Sequence, residues 1–168
     1  MRDVYIIGVG MIRFGKYADE TVRTMGEKAI RLALEDAGLE KQDLQAAFFS
    51  NTFWGMFTNQ HSIRGQVVLR GMGIDRIPVT NVENACAGAS TALHLAYMGV
   101  RAEMFDVALA IGSEKITSTD KFQSLQAYAS CMDMENFQSH VQMILEVGKS
   151  FAIDLPQDDS APGQGRSI

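Results

Sequence analysis

The sequence predicts an α/β fold built on a mostly parallel sheet, and three observations carry that prediction. Short apolar runs rich in β-branched residues recur four times over residues 1–112, and segments of helical periodicity separate them. The first and fourth of these runs are apolar at nearly every position, as strands covered on both faces are. A chain of 168 residues, 46% hydrophobic and 21% charged, is long enough to bury one domain-sized core.

The elements follow in order. Val4–Val9, punctuated by Gly8 and Gly10, is predicted as a buried first strand. Thr21 is a predicted N-cap, because Val22, Met25, Ala29 and Ala33 then recur at helical spacing, and Gly38 suits the left-handed position after that helix. Ala46–Ser50 is the second strand, followed by the aromatic loop NTFWGMF. Ile63, Val67 and Val68 predict a second helix stopped near Gly71. Ile77–Val82 is the third strand, with Pro78 at its start, where a missing N–H is tolerated. From about Ala87 to Ala102 a helix is apolar nearly all round, which predicts burial at the centre of a protein. Asp106–Ile111 is the fourth strand, ended by Gly112. Beyond it the period is ragged over 115–150, and LPQDDSAPGQGRSI reads as loop.

Composition excludes several function classes. A net charge of −5 leaves no basic face for a general nucleic-acid binder. No apolar run reaches a membrane span, and the opening residues lack the apolar core of a signal peptide, so the cytoplasm is the expected compartment. Cys86 and Cys131 have no metal or disulfide spacing, and no metal site is expected. Two glycine patterns at the first strand are decoys. Gly8-Val9-Gly10 lacks the third glycine of a dinucleotide loop, since position 13 is Arg. The stretch from Gly10 to Gly15-Lys16 continues into Tyr17 where a phosphate loop needs Ser or Thr. A surface role suits Arg13 and Lys16 better.

Cys86, in NVENACAGAST, is the candidate nucleophile. It falls where the third strand gives way to the apolar helix. Unpaired amides and the helix dipole there favour negative charge on a sulfur or on an acyl oxygen. A thiolate attacks acyl groups well and leaves a thioester readily. The small residues 87–91 admit close approach of another backbone or an acyl chain. The competing reading is a cysteine that only packs. His94 lies eight residues on, more than two helical turns away, and is read as packed or capping rather than as a base. His61 and His140 are read as surface or core residues, and Cys131 as a structural thiol.

Four segments in register, VYIIGVGMIRFGK, ALEDAGLEKQDLQAAFFSN, NACAGAST and DVALAIGSEKIT, resemble the N-terminal part of the thiolase family, in the group related to the thiolase domain of sterol carrier protein X. The resemblance implies a layered αβαβα fold of which this chain holds an incomplete N-terminal half. Residues 1–117 would form the N-terminal core, and 118–168 the start of an inserted loop domain, with the chain a fragment. It implies that Cys86 accepts an acyl group as a thioester and exchanges it with coenzyme A, in cleavage or condensation of 3-oxoacyl-CoA. The Cys86 amide would donate to the oxyanion of that step. Coenzyme A enters as a substrate, with no permanently bound cofactor; the CoA contacts are unassigned. The family's general-base histidine and second cysteine lie in its C-terminal half, so the chain alone is expected to be inactive. Expected partners are acyl-CoA thioesters, a second copy in a homodimer, and a small zinc-ribbon protein. Two alternatives stay open. A ketoacyl synthase III-like condensing enzyme shares the nucleophile position. A non-catalytic thiolase-like subunit would dock through the small-residue helix and through exposed Phe53, Trp54, Met56 and Phe57.

Overall fold

A computed structural model describes residues 2–151. The described residues separate into two compact units, divided after Ala127. The loop reading of LPQDDSAPGQGRSI lies outside the described residues.

The first unit is α/β, as the alternation predicts. Its elements are α1 (Val22–Ala37), β1 (Ala46–Ser50), α2 (Trp54–Thr58), α3 (Arg64–Gly71), β2 (Val79–Val82), α4 (Gly88–Arg101), β3 (Ala108–Gly112) and all but the last two residues of α5 (Lys121–Ala129). The three strands are parallel in the order β2-β1-β3, with Phe49 beside Asn81 on one side and Ile111 on the other. β1 is buried along its whole length because it is central and covered on both faces. On one face, Phe49, Ala47, Leu109 and Ile111 pack with Ile30 of α1 and Val68 and Leu69 of α3. On the other, Phe48, Ala46 and Val82 pack with Ala92 and Ala96 of α4. The ragged stretch over 115–150 thus holds two regular helices, α5 and, in the second unit, α6 (Phe137–Ser150).

α1 shows how far local signals reach. The Thr21 side chain accepts from the Thr24 amide at 3.1 Å, and the Thr24 hydroxyl accepts from the Thr21 amide at 2.9 Å. This reciprocal pair satisfies two orphan donors of the helix start. At the other end Gly38 has φ 64°, and its amide donates to the Glu35 carbonyl.

Two expectations need correction. Val4–Val9 forms no strand; Tyr5 and Ile6 are 75% and 72% exposed. The segment lies along α1, where a Cβ on Gly8 would come within 2.5 Å of the Ala33 carbonyl oxygen and one on Gly10 within 2.3 Å of that of Ala29. An apolar run specifies something to be covered, and pairing requires a strand edge within hydrogen-bond reach, which periodicity cannot supply. The helix predicted to be buried all round covers only one side in this chain: Leu93, Tyr97 and Met98 of α4 are exposed. The aromatic loop covers a core edge, as aromatic residues in a loop more often do, and Phe53 and Trp54 lack the exposure that the non-catalytic alternative requires. Phe53 and Trp54 are 6% and 7% exposed, and the short helix α2 closes that edge of the core.

The N-terminal segment is held by two polar contacts. Val9 donates its amide to Asp36 Oδ2 at 2.8 Å, and Arg2 Nη1 pairs with Asp106 Oδ1 at 2.5 Å. The Arg2 guanidinium holds the Asp106 carboxyl below its ordinary value of 3.8. A carboxyl lowered in the folded state contributes stability that is present above that ordinary value and lost as pH falls through the lower folded one. Protection of the amides over residues 2–10, taken relative to intrinsic rates at each pH, is therefore expected to fall below about pH 4, and Arg2→Ala is expected to lower it at neutral pH. Protection of this segment that is indifferent to both changes removes the tether from the account.

Candidate active site

The C-terminal ends of parallel strands are where open α/β sheets place their sites, because the chain turns there into loops and helix N-termini. Here β1 ends at Ser50, β2 at Val82 and β3 at Gly112, and the three ends are cross-tied. The Ser113 amide donates to the Ser50 carbonyl at 3.2 Å, and the Asn51 amide to the Val82 carbonyl at 3.4 Å.

Cys86 sits on the connection from β2 to α4, in a single 3₁₀ turn, Ala85–Ala87, and is exposed. The residue before it, Ala85, has φ 43°, in the left-handed region where a residue with a Cβ is strained by roughly 1–3 kcal/mol. Hydrogen bonds hold it there. The Ala85 amide donates to Glu83 Oε1 at 2.7 Å, while the Ala85 carbonyl accepts from the Gly88 amide and from the Thr52 hydroxyl at 3.3 Å. The Ala87 amide donates to the Asn84 carbonyl at 2.9 Å, and the Asn84 side chain donates to Thr91 Oγ1 at 2.9 Å.

The small residues behind Cys86 have a steric reason. A Cβ on Gly88 would lie 2.3 Å from Ser50 Oγ, and one on Gly112 would lie 3.3 Å from the Ala89 methyl. The start of α4 rests directly on the ends of β1 and β3, which carries Cys86 to the mouth of the sheet.

A second layer ties β3 to the loop after β1. Glu114, just past β3, accepts from the Thr52 amide at 2.7 Å and the Phe53 amide at 3.1 Å through Oε2, and from Asn51 Nδ2 at 2.9 Å through Oε1. Asn51 is buried; it donates also to the Ser113 carbonyl at 2.8 Å and accepts from the Trp54 amide at 3.0 Å. Arg64 Nη1 donates to the Asn51 carbonyl at 2.5 Å. Sequence reasoning gave no role to Asn51, Thr52 or Glu114. The available signal was a charged residue directly after a buried strand, in GSEK, with polar Asn-Thr at the equivalent place after β1.

The three histidines have different local settings. His94 is about 12 Å further along the α4 axis by helix rise, exposed, with its ring 6.4 Å from that of Tyr97. The His61 ring covers the Gly55 backbone, so that a Cβ there would meet its Nδ1 at 2.3 Å. In the second unit His140 Nδ1 lies 3.1 Å from the Asn136 carbonyl, and Cys131 is exposed. Arg13 and Lys16 lie on an exposed stretch that ends well before α1 begins, so no helix N-terminus follows the glycines of the two decoy patterns. Among the described residues, no group of three His, Cys, Asp or Glu side chains converges on a metal position, and no helix is long and apolar enough to cross a membrane.

Comparison with known proteins agrees with this architecture. Residues 4–152 match the family model described as thiolase, N-terminal domain. The chain is 38% identical over 135 residues to an acetyl-CoA acetyltransferase of Methanothermobacter thermautotrophicus, covering 80% of this chain and 34% of that protein. It is 32% identical over 159 residues to sterol carrier protein 2 of Gallus gallus, covering 93% of this chain and 27% of that one. Among solved structures it is similar in fold to a chain of the Ltp2-ChsH2(DUF35) aldolase, with TM-score 0.51 and 20% identity over 73% of this chain and 31% of that chain. The chain thus spans about a third of the length of the first of these relatives.

Proposed function

Since the chain belongs to the thiolase family through its N-terminal domain, we propose that it is the acyl-carrying part of an acyl-CoA acyltransferase with Cys86 as the nucleophile. The observation that carries this reading is the placement of Cys86: exposed, at the junction of β2 and α4, on a backbone held in a strained conformation by bonds from both sides. The Cys86 sulfur attacks the thioester carbonyl of an acyl-CoA. A tetrahedral oxyanion forms and accepts a hydrogen bond from the Cys86 amide. It collapses with expulsion of the coenzyme A thiolate, leaving the acyl group on Cys86 as a thioester. The reverse step returns it to coenzyme A. Coenzyme A is a substrate here, and the reading calls for no permanently bound cofactor.

Because the chain spans about a third of its acetyl-CoA acetyltransferase relative, proton transfer and the carbon–carbon step are read as the work of the rest of a full-length protein. Residues 118–168 are read as the beginning of an inserted loop domain. The reading includes a cytoplasmic homodimer, and a small zinc-ribbon protein as further partner. The exposed apolar residues Leu93, Tyr97 and Met98 on α4 support an association that covers them.

The test is to incubate the chain with acetyl-CoA at mildly alkaline pH and map the adduct by mass spectrometry. One acetyl group on the peptide bearing Cys86, absent from that bearing Cys131, is the expected result. In parallel, iodoacetamide is expected to alkylate Cys86 ahead of Cys131. Acetyl on Cys131, or none on either while Cys86 still alkylates, overturns the reading. Sustained thiolysis of acetoacetyl-CoA by this chain alone overturns the division of labour. A synthase-type condensing enzyme would pass the acetyl group from Cys86 to an acyl-carrier-protein thioester in place of coenzyme A.

A further inference from the structure

We propose that Thr52 is a positioning residue that aims the Cys86 amide at the developing oxyanion, and that Glu114 holds Thr52 in place. This deepens the acyl-carrier reading and rests on it. The peptide joining Ala85 to Cys86 is trans and planar, so the Ala85 carbonyl and the Cys86 N–H point in opposite directions within one rigid plane. Whatever fixes the carbonyl therefore fixes the direction of the N–H. The Thr52 hydroxyl donates to that carbonyl at 3.3 Å, reaching it from the loop after β1, outside the β2–α4 connection. The Gly88 amide reaches it from within the helix start.

The restraint matters because of Ala85. At φ 43° the backbone sits in a strained region, and rotation of the adjoining peptide is the natural way to relieve it. The Glu83 carboxylate fixes the peptide on the N-terminal side of Ala85, and Thr52 fixes the one on the C-terminal side. Thr52 is itself anchored, since its amide and that of Phe53 both donate to Glu114 Oε2. A chain of contacts thus runs from the end of β3, through the loop after β1, to the oxyanion donor at the end of β2. Glu114 and Thr52 touch no reacting atom; they act through the peptide plane.

Two reactions of the same sulfur separate this role from a merely structural one. Acetylation by acetyl-CoA passes through a tetrahedral oxyanion, whereas alkylation by iodoacetamide is a direct displacement at carbon and forms none. Deleting an oxyanion donor slows acyl transfer by about 10²–10³; misaiming one that remains is expected to slow it about tenfold. In Thr52→Val, acetylation of Cys86 is expected to fall about tenfold with the alkylation rate within about twofold of the parent. Thr52→Ser, which keeps the hydroxyl, is expected to restore acetylation, and Thr52→Ala to repeat the loss. Parent-like acetylation of Thr52→Val and Thr52→Ala overturns the proposal. So does a parallel fall in both rates, which marks general loosening of the junction. If the parent chain itself takes no acetyl group on Cys86, the underlying acyl-carrier reading fails, and this proposal with it.

Discussion

Cys86→Ala is expected to abolish acetyl transfer to the chain, leaving no adduct on any residue. In a full-length protein that contains this domain, it is expected to lower turnover by about 10⁴-fold or more, the scale seen when a covalent nucleophile is removed. The loss follows from the order of events, because without the sulfur no thioester forms and the second half-reaction has no acyl donor. Cys86→Ser is expected to be nearly as poor, since a hydroxyl is a weak nucleophile without an adjacent base. Folding should be untouched by either change, because Cys86 is exposed and the bonds around it are made by Glu83, Ala85, Gly88 and Thr52. Residual transfer above one tenth of the parent rate, with a parent-like urea midpoint, contradicts the assignment.

Phe49→Ala is expected to give the largest loss of stability. Phe49 is 0% exposed, in the central strand, with α1 and α3 packed over it and the Gly65 backbone pressed against its Cβ. Truncating a buried phenylalanine removes its transfer free energy and leaves a cavity, for a cost of about 3–5 kcal/mol. That is a large share of the roughly 5–15 kcal/mol that stabilises a domain. Urea denaturation followed by the fluorescence of Trp54, which belongs to the same core cluster, measures it directly. A loss under about 1.5 kcal/mol means that the packing around β1 is looser than described. Gly65 deepens the argument. A Cβ there would approach Phe49 Cβ to 2.6 Å and Val79 Cγ1 to 2.8 Å, so α3 cannot shift inward to fill the space without meeting β2.

Local elements were legible because their causes are local. Thr21 and Thr24 close the start of α1 within four residues, and Gly38 ends it with its own backbone. The apolar runs of β1, β2 and β3 and their alternation with helices sufficed for a parallel α/β sheet. Cys86 was visible because a thiol between a strand and a run of small residues is a local pattern.

Legibility ended where a property depended on a distant partner. The run Val4–Val9 has the composition of a strand, but pairing is decided by which edge lies within reach, and it lies along α1 instead. The apolar helix α4 can be buried on both sides only if both sides are covered, and this chain covers one. Glu114 and Thr52 lie 62 residues apart, and Thr52 and Ala85 33 apart, so no spacing rule could join them. The amino-acid sequence by itself determined the three paired strands, the helices α1, α3 and α4 and the position of the thiol, because periodicity, capping and composition act over a few residues. Only the tertiary structure decided what surrounds that thiol. Hydrogen bonds among strand ends form after the chain has brought them together, and those bonds hold the Ala85–Cys86 peptide in its strained, directed conformation.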